Sequence, residues 1–271
     1  MGKVRVAIIG ARGIGKYHAR WWTLEGAEVA AIAGTSEASL AEAAEDLKER
    51  IGFSGRTYAN IGQMLDAERP DIVDVCSPAD RHAAHAQAAL EAGCHVLCEK
   101  PLVLDRANPG ASMREAGKLI ALARGRGLRL GVCTQYAMAA RSFTRLIDKS
   151  GLGPITYFKA QLHAPAKGRA PDAMRTWHDL GPHVLSVFLA MFDGAEVEWN
   201  TLAAHFEGHG ARVLFSVLSR DGRTIDCDLV TRNATESPLH VRYFQFNEYP
   251  INVTEGRSAE GDYRAAIETR D

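Results

Sequence analysis

The stretch that most constrains the fold lies near the start of the chain. The largely apolar run Val4–Ile9 passes into the turn Gly10-Ala11-Arg12-Gly13-Ile14-Gly15 and then into a helix-compatible segment, Lys16–Leu24. A buried strand, a glycine-rich turn and a helix in that order form the head of a βαβ unit. Glycines permit a tight turn and close backbone approach of a ligand. The helix behind them aims its first amides and the positive end of its dipole at whatever lies in front, which suits a pyrophosphate. Gly10, Gly13 and Gly15 satisfy G-x-x-G-x-G. Read instead as G-x-G-x-x-G, positions 10 and 15 match and Arg12 replaces the middle glycine. The turn, Arg12 and Ile14 included, is expected to bind a dinucleotide.

The alternation continues. Ala27–Gly34 reads as a second strand, and Ser36–Arg50 as a helix opening on the capping pattern Ser36-x-x-Ser39. Asp71–Ser77 is a strand, His82–Gly93 a helix closed by glycine, His95–Glu99 a strand, Ser112–Arg124 a helix and Leu128–Thr134 a strand. Near-continuous apolar strands separated by helices predict a parallel sheet covered on both faces. After about residue 150 the texture changes to strand-like runs: Ile155–Ala164, Ala195–Gly208, Ala211–Ser219, Arg223–Arg232 and Leu239–Tyr249. Turns at Glu207–Gly210 and Asp221-Gly222 separate some of these, with one helix expected near His183–Met191. The expected fold is α/β: a doubly wound Rossmann domain over residues 1–130, then an α+β domain over residues 131–271 with an open, mainly antiparallel sheet.

Composition excludes several classes. A formal net charge of −1 weighs against nucleic acid or an anionic membrane as partner. No apolar run approaches the roughly 20 residues that span a bilayer. The first strand begins at once, which leaves no room for a cleavable leader and points to a cytoplasmic location. The five cysteines, Cys76, Cys94, Cys98, Cys133 and Cys227, lie mostly in apolar runs and read as reduced thiols. No metal is expected. Cys94 and Cys98 share a strand face, His178 and His183 are interrupted by Gly181-Pro182, and His205 and His209 straddle a turn. The glycosylation-like triplets at Asn233 and Asn252 read as chance matches.

A second motif, Glu99-Lys100-Pro101, ends a strand at the carboxyl edge of the parallel sheet, where doubly wound folds bind ligand. With the glycine turn, the segment Asp71–Gly93, the run His95–Leu102 and Asp179-Leu180-Gly181-Pro182-His183, the chain resembles the Gfo/Idh/MocA oxidoreductases, the glucose–fructose oxidoreductase and inositol dehydrogenase group. The resemblance implies hydride transfer between nicotinamide C4 and a hydroxyl-bearing carbon of a sugar, cyclitol or related polyol. It implies catalytic roles for Lys100, Asp179 and His183, and places Ser77, Pro78, His82, Glu99 and Gln135 along the cofactor. The chemistry of the residues agrees. Oxidising an alcohol requires a base for the hydroxyl proton, which suits His183, and a cation beside the oxygen, which suits Lys100. Asp179 lies one helical turn before His183. Where the family often has a glycine run, Arg169–Asp179 places Arg169, Arg175 and Trp177 near the expected pocket mouth, Arg175 and Trp177 as substrate contacts. The resemblance also implies further sheet and a helix beyond Asp271, and a homo-oligomer built through the second sheet.

Cofactor choice rests on the end of the second strand. NAD sites place an acid there, whereas this chain has Thr35 and Ser36. Arg12 can pair with a 2′-phosphate, so NADP is expected, with NAD left open by Glu37. Short-chain dehydrogenases share the glycine pattern but need Tyr-x-x-x-Lys, and none of the seven tyrosines has lysine four residues on. A biliverdin-reductase-like enzyme would lack Lys100 and the Asp179/His183 pair. A catalytically inactive dinucleotide-binding regulator on the same fold is the remaining alternative.

Overall fold

A computed structural model describes residues 2–105, 107–257 and 263–269. The chain divides into two compact units, Met1–Cys133 and Thr134–Asp271.

In the first unit the elements are β1 (Arg5–Ile9), α1 (Gly15–Leu24), β2 (Glu28–Ala33), α2 (Glu37–Ile51), β3 (Arg56–Tyr58), α3 (Ile61–Glu68), β4 (Ile72–Val75), α4 (His82–Glu91), β5 (His95–Cys98), α5 (Pro109–Gly125) and β6 (Leu130–Val132). All strand pairs are parallel, in the order β3-β2-β1-β4-β5-β6. Strand order reverses between β1 and β4, which opens a crevice beyond their carboxyl ends. Alternation along β1 feeds both faces: Ala7 and Ile9 pack with Val73, Leu90 and Leu119, while Val6 and Ile8 pack with Val29, Leu40 and Leu47. Ser36 and Ser39 cap α2 reciprocally, and Gly52 closes it in the left-handed region. The sequence reading passed over β3 and α3. Three residues, two exposed and one half-buried, carry no strand periodicity, and the one local cue for α3 is Asn60, whose side chain accepts from the Gln63 amide at its N-terminus.

The second unit contains α6 (Ala140–Ser150), β7 (Tyr157–Pro165), α7 (Ala173–Met191), β8 (Glu196–Glu207), β9 (Gly210–Leu218), β10 (Thr224–Ala234), β11 (Val241–Phe246), β12 (Tyr249–Arg257) and β13 (Tyr263–Thr269). The sheet runs β13-β12-β11-β7-β10-β9-β8. It is antiparallel except for β7 and β10, which pair in parallel from Tyr157/Asp226 to Pro165/Ala234. The core gathers Phe143 and Ile147 of α6, Val184, Val187 and Phe188 of α7, and Phe158, Leu162, Val217, Phe244 and Phe246 of the sheet. Its rings meet at 5.0 Å for Phe143–Phe244 and 5.2 Å for Phe158–Phe246. Asp228 is buried beneath this unit's polar side chains, bonded by Arg212 at 2.9 Å and Lys159 at 3.1 Å.

The helix expected near His183–Met191 is longer than the sequence suggested. It begins at Ala173, with the Asp172 side chain accepting from the Arg175 amide, and runs through Pro182. Arg175 and Trp177 therefore stand on a helix and not in a loop. Gly181 has its own packing reason within the helix: a Cβ there would lie 2.8 Å from the Trp177 ring, which packs over the glycine. Among the described residues no helix is long and apolar enough to cross a membrane.

Truncating a fully buried ring at the centre of the second unit leaves a cavity. Phe158→Ala, at 0% exposure, is expected to cost that unit about 3–5 kcal/mol, read from urea denaturation.

Candidate functional site

The crevice beyond β1 and β4 is a cleft of about 1070 Å³ whose described lining residues belong to the first unit. Its three turn glycines do different work. Gly10 sits at φ +94°, and a Cβ there would lie 2.7 Å from the Cys76 carbonyl oxygen. At Gly15 a Cβ would meet the Gly10 carbonyl oxygen at 2.4 Å. A Cβ at Gly13 would meet nothing within 4 Å, so that backbone is open to the cleft. The N-terminus of α1 has no side-chain cap and no acid in its first turn. These features leave uncapped amides and the positive end of the helix dipole directly after the turn Gly10–Gly13, which lines the cleft. The residues present fit a dinucleotide: an anion-binding turn on one side and an apolar wall of Ile32, Leu40 and Ala43 on another.

Of the residues expected along the cofactor, Gly10, Arg12, Gly13, Thr35, Ser77 and Pro78 line the cleft. Ile14, Gly15, Ser36, His82, Glu99 and Lys100 are not in its walls. Ser36 caps α2 instead. Arg12 makes an exposed ion pair with Glu42 at 3.1 Å. His82 is buried, its ring nitrogens 2.7 Å from the Ser77 and Pro101 carbonyl oxygens, so it ties the end of β4 to the segment after β5. Asn60, Asp80, Arg81 and His85 also line the cleft. The sequence reading missed them, although His85 lies one turn beyond His82 and bonds the Ser77 hydroxyl at 2.9 Å.

Behind Lys100 lies a buried polar cluster that the sequence did not announce. The Glu99 carboxylate accepts from the Lys100 backbone amide at 3.1 Å and faces His18 Nε2 at 3.3 Å. His18 Nδ1 is 2.9 Å from Asp74, which also accepts from Trp22 Nε1 at 2.6 Å. Burial alone would push the His18 imidazole down, but its bonds to Asp74, Cys133, Cys76 and Glu99 outweigh this and raise it. Burial pushes Glu99 up, but the bond and charge of His18 together with the charge and backbone amide of Lys100 outweigh it, leaving the carboxyl below its usual range. Burial pushes the Cys76 thiol up to about 12, so it is neutral.

In the second unit Asp179 and His183 stand four apart on α7. His183 is buried, and its ring meets Tyr136 edge-on at 5.4 Å. The Tyr136 hydroxyl donates to Glu255 at 2.8 Å and accepts from Arg242, which also pairs with Glu255 at 3.0 Å. Burial pushes the Tyr136 phenol up to about 12. These three side chains come from positions far apart in sequence, and no local pattern pointed to them. Gln135 is exposed in the short helix Gln135–Ala139 beside Tyr136. Arg175 donates to the Ala170 carbonyl at 2.8 Å, and Trp177 packs edge-on against Phe206 at 6.2 Å. Among the described residues, the side chains with ligand atoms close enough to share one metal ion are His18 with Asp74 and Cys76, and His18 with Glu99 and Cys133.

A doubly wound sheet with an anion-binding glycine turn at its switch point defines a dinucleotide-binding protein. Residues 4–134, nearly the whole of the first unit, match the model of the Gfo/Idh/MocA family, described as an oxidoreductase family with an NAD-binding Rossmann fold. It is 35% identical over 156 residues to D-glucoside 3-dehydrogenase of Escherichia coli, covering 56% of this chain and 41% of that protein. It is 29% identical over 193 residues to UDP-N-acetylglucosamine 3-dehydrogenase of Acidithiobacillus ferrooxidans, covering 71% of this chain and 55% of that protein. The chain thus spans about half the length of the curated relatives it matches. A solved structure of the Acidithiobacillus enzyme, GnnA, superposes with a TM-score of 0.71 at 22% identity, over 100% of this chain and 83% of the other. Scyllo-inositol dehydrogenase from Lactobacillus casei, with NAD(H) and scyllo-inositol, gives 0.70 at 18% identity, over 99% and 82%. At these identities the two structures speak to the fold alone.

The turn glycines separate stability from binding. Gly15→Ala is expected to cost the first unit roughly 1–3 kcal/mol through overpacking, lowering its thermal midpoint. Gly13→Ala should leave the midpoint unchanged, yet weaken dinucleotide binding in a fluorescence titration, because its methyl group enters the cleft.

Proposed function

We propose that this chain is a nicotinamide-dependent dehydrogenase that prefers NADP and acts on a secondary hydroxyl, or the corresponding ketone, of a sugar or cyclitol. The observation that carries the proposal is the glycine-lined cleft at the β1/β4 switch point, with the Glu99-Lys100-Pro101 segment following the neighbouring strand β5. The relatives' names, all sugar or inositol oxidoreductases among those cited above, support the substrate class. In this reading the first unit, taken as residues 1–130, binds the dinucleotide, and residues 131–271 bind substrate and self-associate.

When bound, the nicotinamide supplies the carbon that accepts or donates hydride. The backbone of Gly10 and Gly13 and the first turn of α1 hold the pyrophosphate. Arg12 leaves Glu42 for the 2′-phosphate. An exposed ion pair of that kind contributes no more than about 1 kcal/mol, so a charge-assisted bond to a phosphate readily replaces it. Thr35, beyond β2, carries no charge to repel that phosphate. Lys100 holds the reacting oxygen and stabilises the negative charge that develops on it. His183 takes the hydroxyl proton, and Asp179 holds a neighbouring hydroxyl or orients the histidine. Arg175 and Trp177 contact the far side of the substrate. The free thiols of Cys76, Cys94, Cys98, Cys133 and Cys227 fit a reducing, cytoplasmic setting. Trp199, Leu202, Leu214 and Leu218, exposed on β8 and β9, fit a second copy of the chain as partner.

Titration of nicotinamide fluorescence should show tighter binding of NADPH than NADH. Arg12→Ala should weaken NADPH about tenfold, or 1.4 kcal/mol, and leave NADH unmoved. Equal affinity in the parent protein would sink the NADP preference and leave the rest standing. Lys100→Ala and His183→Ala should each lower kcat by about 10²–10⁴ with cofactor affinity retained. Loss of cofactor binding in either variant would count against its catalytic role.

A further inference from the structure

His18 is 3% exposed and Asp74 is 0% exposed, both in the first unit. The two ring nitrogens of His18 face two different carboxylates, Nδ1 at 2.9 Å from Asp74 and Nε2 at 3.3 Å from Glu99. An ionised carboxylate only accepts, and a neutral imidazole carries a single N–H. Both contacts are satisfied together only when the ring carries both protons. The groups facing it are Asp74 and Cys76 around β4, Glu99 after β5 and Cys133 after β6, with the Trp21 ring 5.4 Å away on its own helix. The Cys76 thiol, pushed up by burial, stays neutral, so the ring stands between two carboxylates. This arrangement links three parts of the fold: α1 behind the glycine turn, the carboxyl end of β4, and the residue before Lys100. The last link is direct, because the second Glu99 oxygen accepts from the Lys100 backbone amide.

We propose that His18 is a positioning residue for Lys100: by bridging Asp74 and Glu99 it fixes the Glu99 carboxylate, which in turn fixes the backbone of the reactive lysine. The proposal rests on the dehydrogenase reading for its consequence in catalysis, but the bridge itself exists without it. The raised His18 and lowered Glu99 protonation equilibria agree with the same pairing. Because α1 follows directly on the glycine turn that lines the cleft, the element behind the dinucleotide turn and the element that carries the lysine are pinned to one buried cation. Neither ring nitrogen of His18 enters the proton transfer of the reaction. The histidine acts through Glu99.

Three measurements on the full chain test this. The first is the ¹⁵N spectrum of the His18 ring in histidine-labelled protein at pH 8, where both nitrogens are expected in the protonated range. A neutral-tautomer pattern, or stoichiometric metal bound through Nε2 in the purified protein, overturns the bridge. The second is amide hydrogen exchange. In His18→Gln and in Glu99→Gln the Lys100 amide should exchange about tenfold faster, while the neighbouring Glu99 amide, bonded to the Val75 carbonyl, serves as the internal reference. Unchanged Lys100 protection in both variants overturns the positioning role. Glu99→Gln leaves the buried His18–Asp74 pair intact, so it remains informative if His18→Gln folds poorly. The third is steady-state kinetics, where each variant should lose about 10–100-fold in kcat with little change in cofactor KM. The double variant should lose no more than the worse single one, and additive losses would contradict a shared route. If the protein turns over no sugar-like substrate, the dehydrogenase reading fails, while the spectrum and the exchange rates still decide the bridge.

Discussion

Everything in the first unit depends on one close approach. Gly10, directly after β1, lies so near the Cys76 carbonyl and the Ser77 amide just beyond β4 that a Cβ on it would come within 2.9 Å of both. Any side chain at Gly10 would wedge these strands apart at the point where the sheet reverses its order. The same backbone accepts the packing of Gly15, so α1 begins as near to β1 as chain geometry allows. The cleft exists because these segments touch at their backbones and diverge beyond. Thus the binding surface and the tightest packing in the unit share the same residues, and changes there act on both.

The unit also shows two ways of keeping a carboxylate out of water. Glu68 is buried, yet two arginines reach it from the surface, Arg5 at 2.9 Å and Arg56 at 2.6 Å. Their net effect, helped by the Tyr58 hydroxyl and opposed by burial, holds its carboxyl below the usual range. Asp74 is instead bonded by His18, Trp22 and Cys76. The first arrangement anchors a strand edge with long, flexible cations. The second uses short, stiff side chains that cannot relax independently, so displacement of one is felt by all.

Much of this was legible in the sequence, for identifiable reasons. The glycine turn, the buried strands and the helix opening at Ser36 each carry a local signal, and the doubly wound sheet followed by a mainly antiparallel one agrees with them. Family resemblance drew Lys100, Asp179 and His183 from the chain. The start of α7 was not legible, because Gly181-Pro182 reads as an interruption, yet the helix runs through both residues from Ala173. The parallel pairing of β7 with β10 was hidden as well, since nothing in either strand states its partner. The His18 cluster escaped notice because its members are separated by tens of residues and meet only when β4, β5 and α1 are assembled.

That parallel pair has a bearing on how the second unit is born. Between β7 and its neighbour β10 the chain must lay down α7, β8 and β9, and β11 then returns to flank β7 on its other side. The centre of the sheet is therefore closed by contacts distant in sequence, whereas the hairpins β8–β9 and β12–β13 close on themselves. Loop-closure entropy is spent before the central pairing returns it. On a ribosome, β7 and α7 emerge with their sheet partners still unmade, and the apolar face of Phe158 and Leu162 waits for strands not yet synthesised.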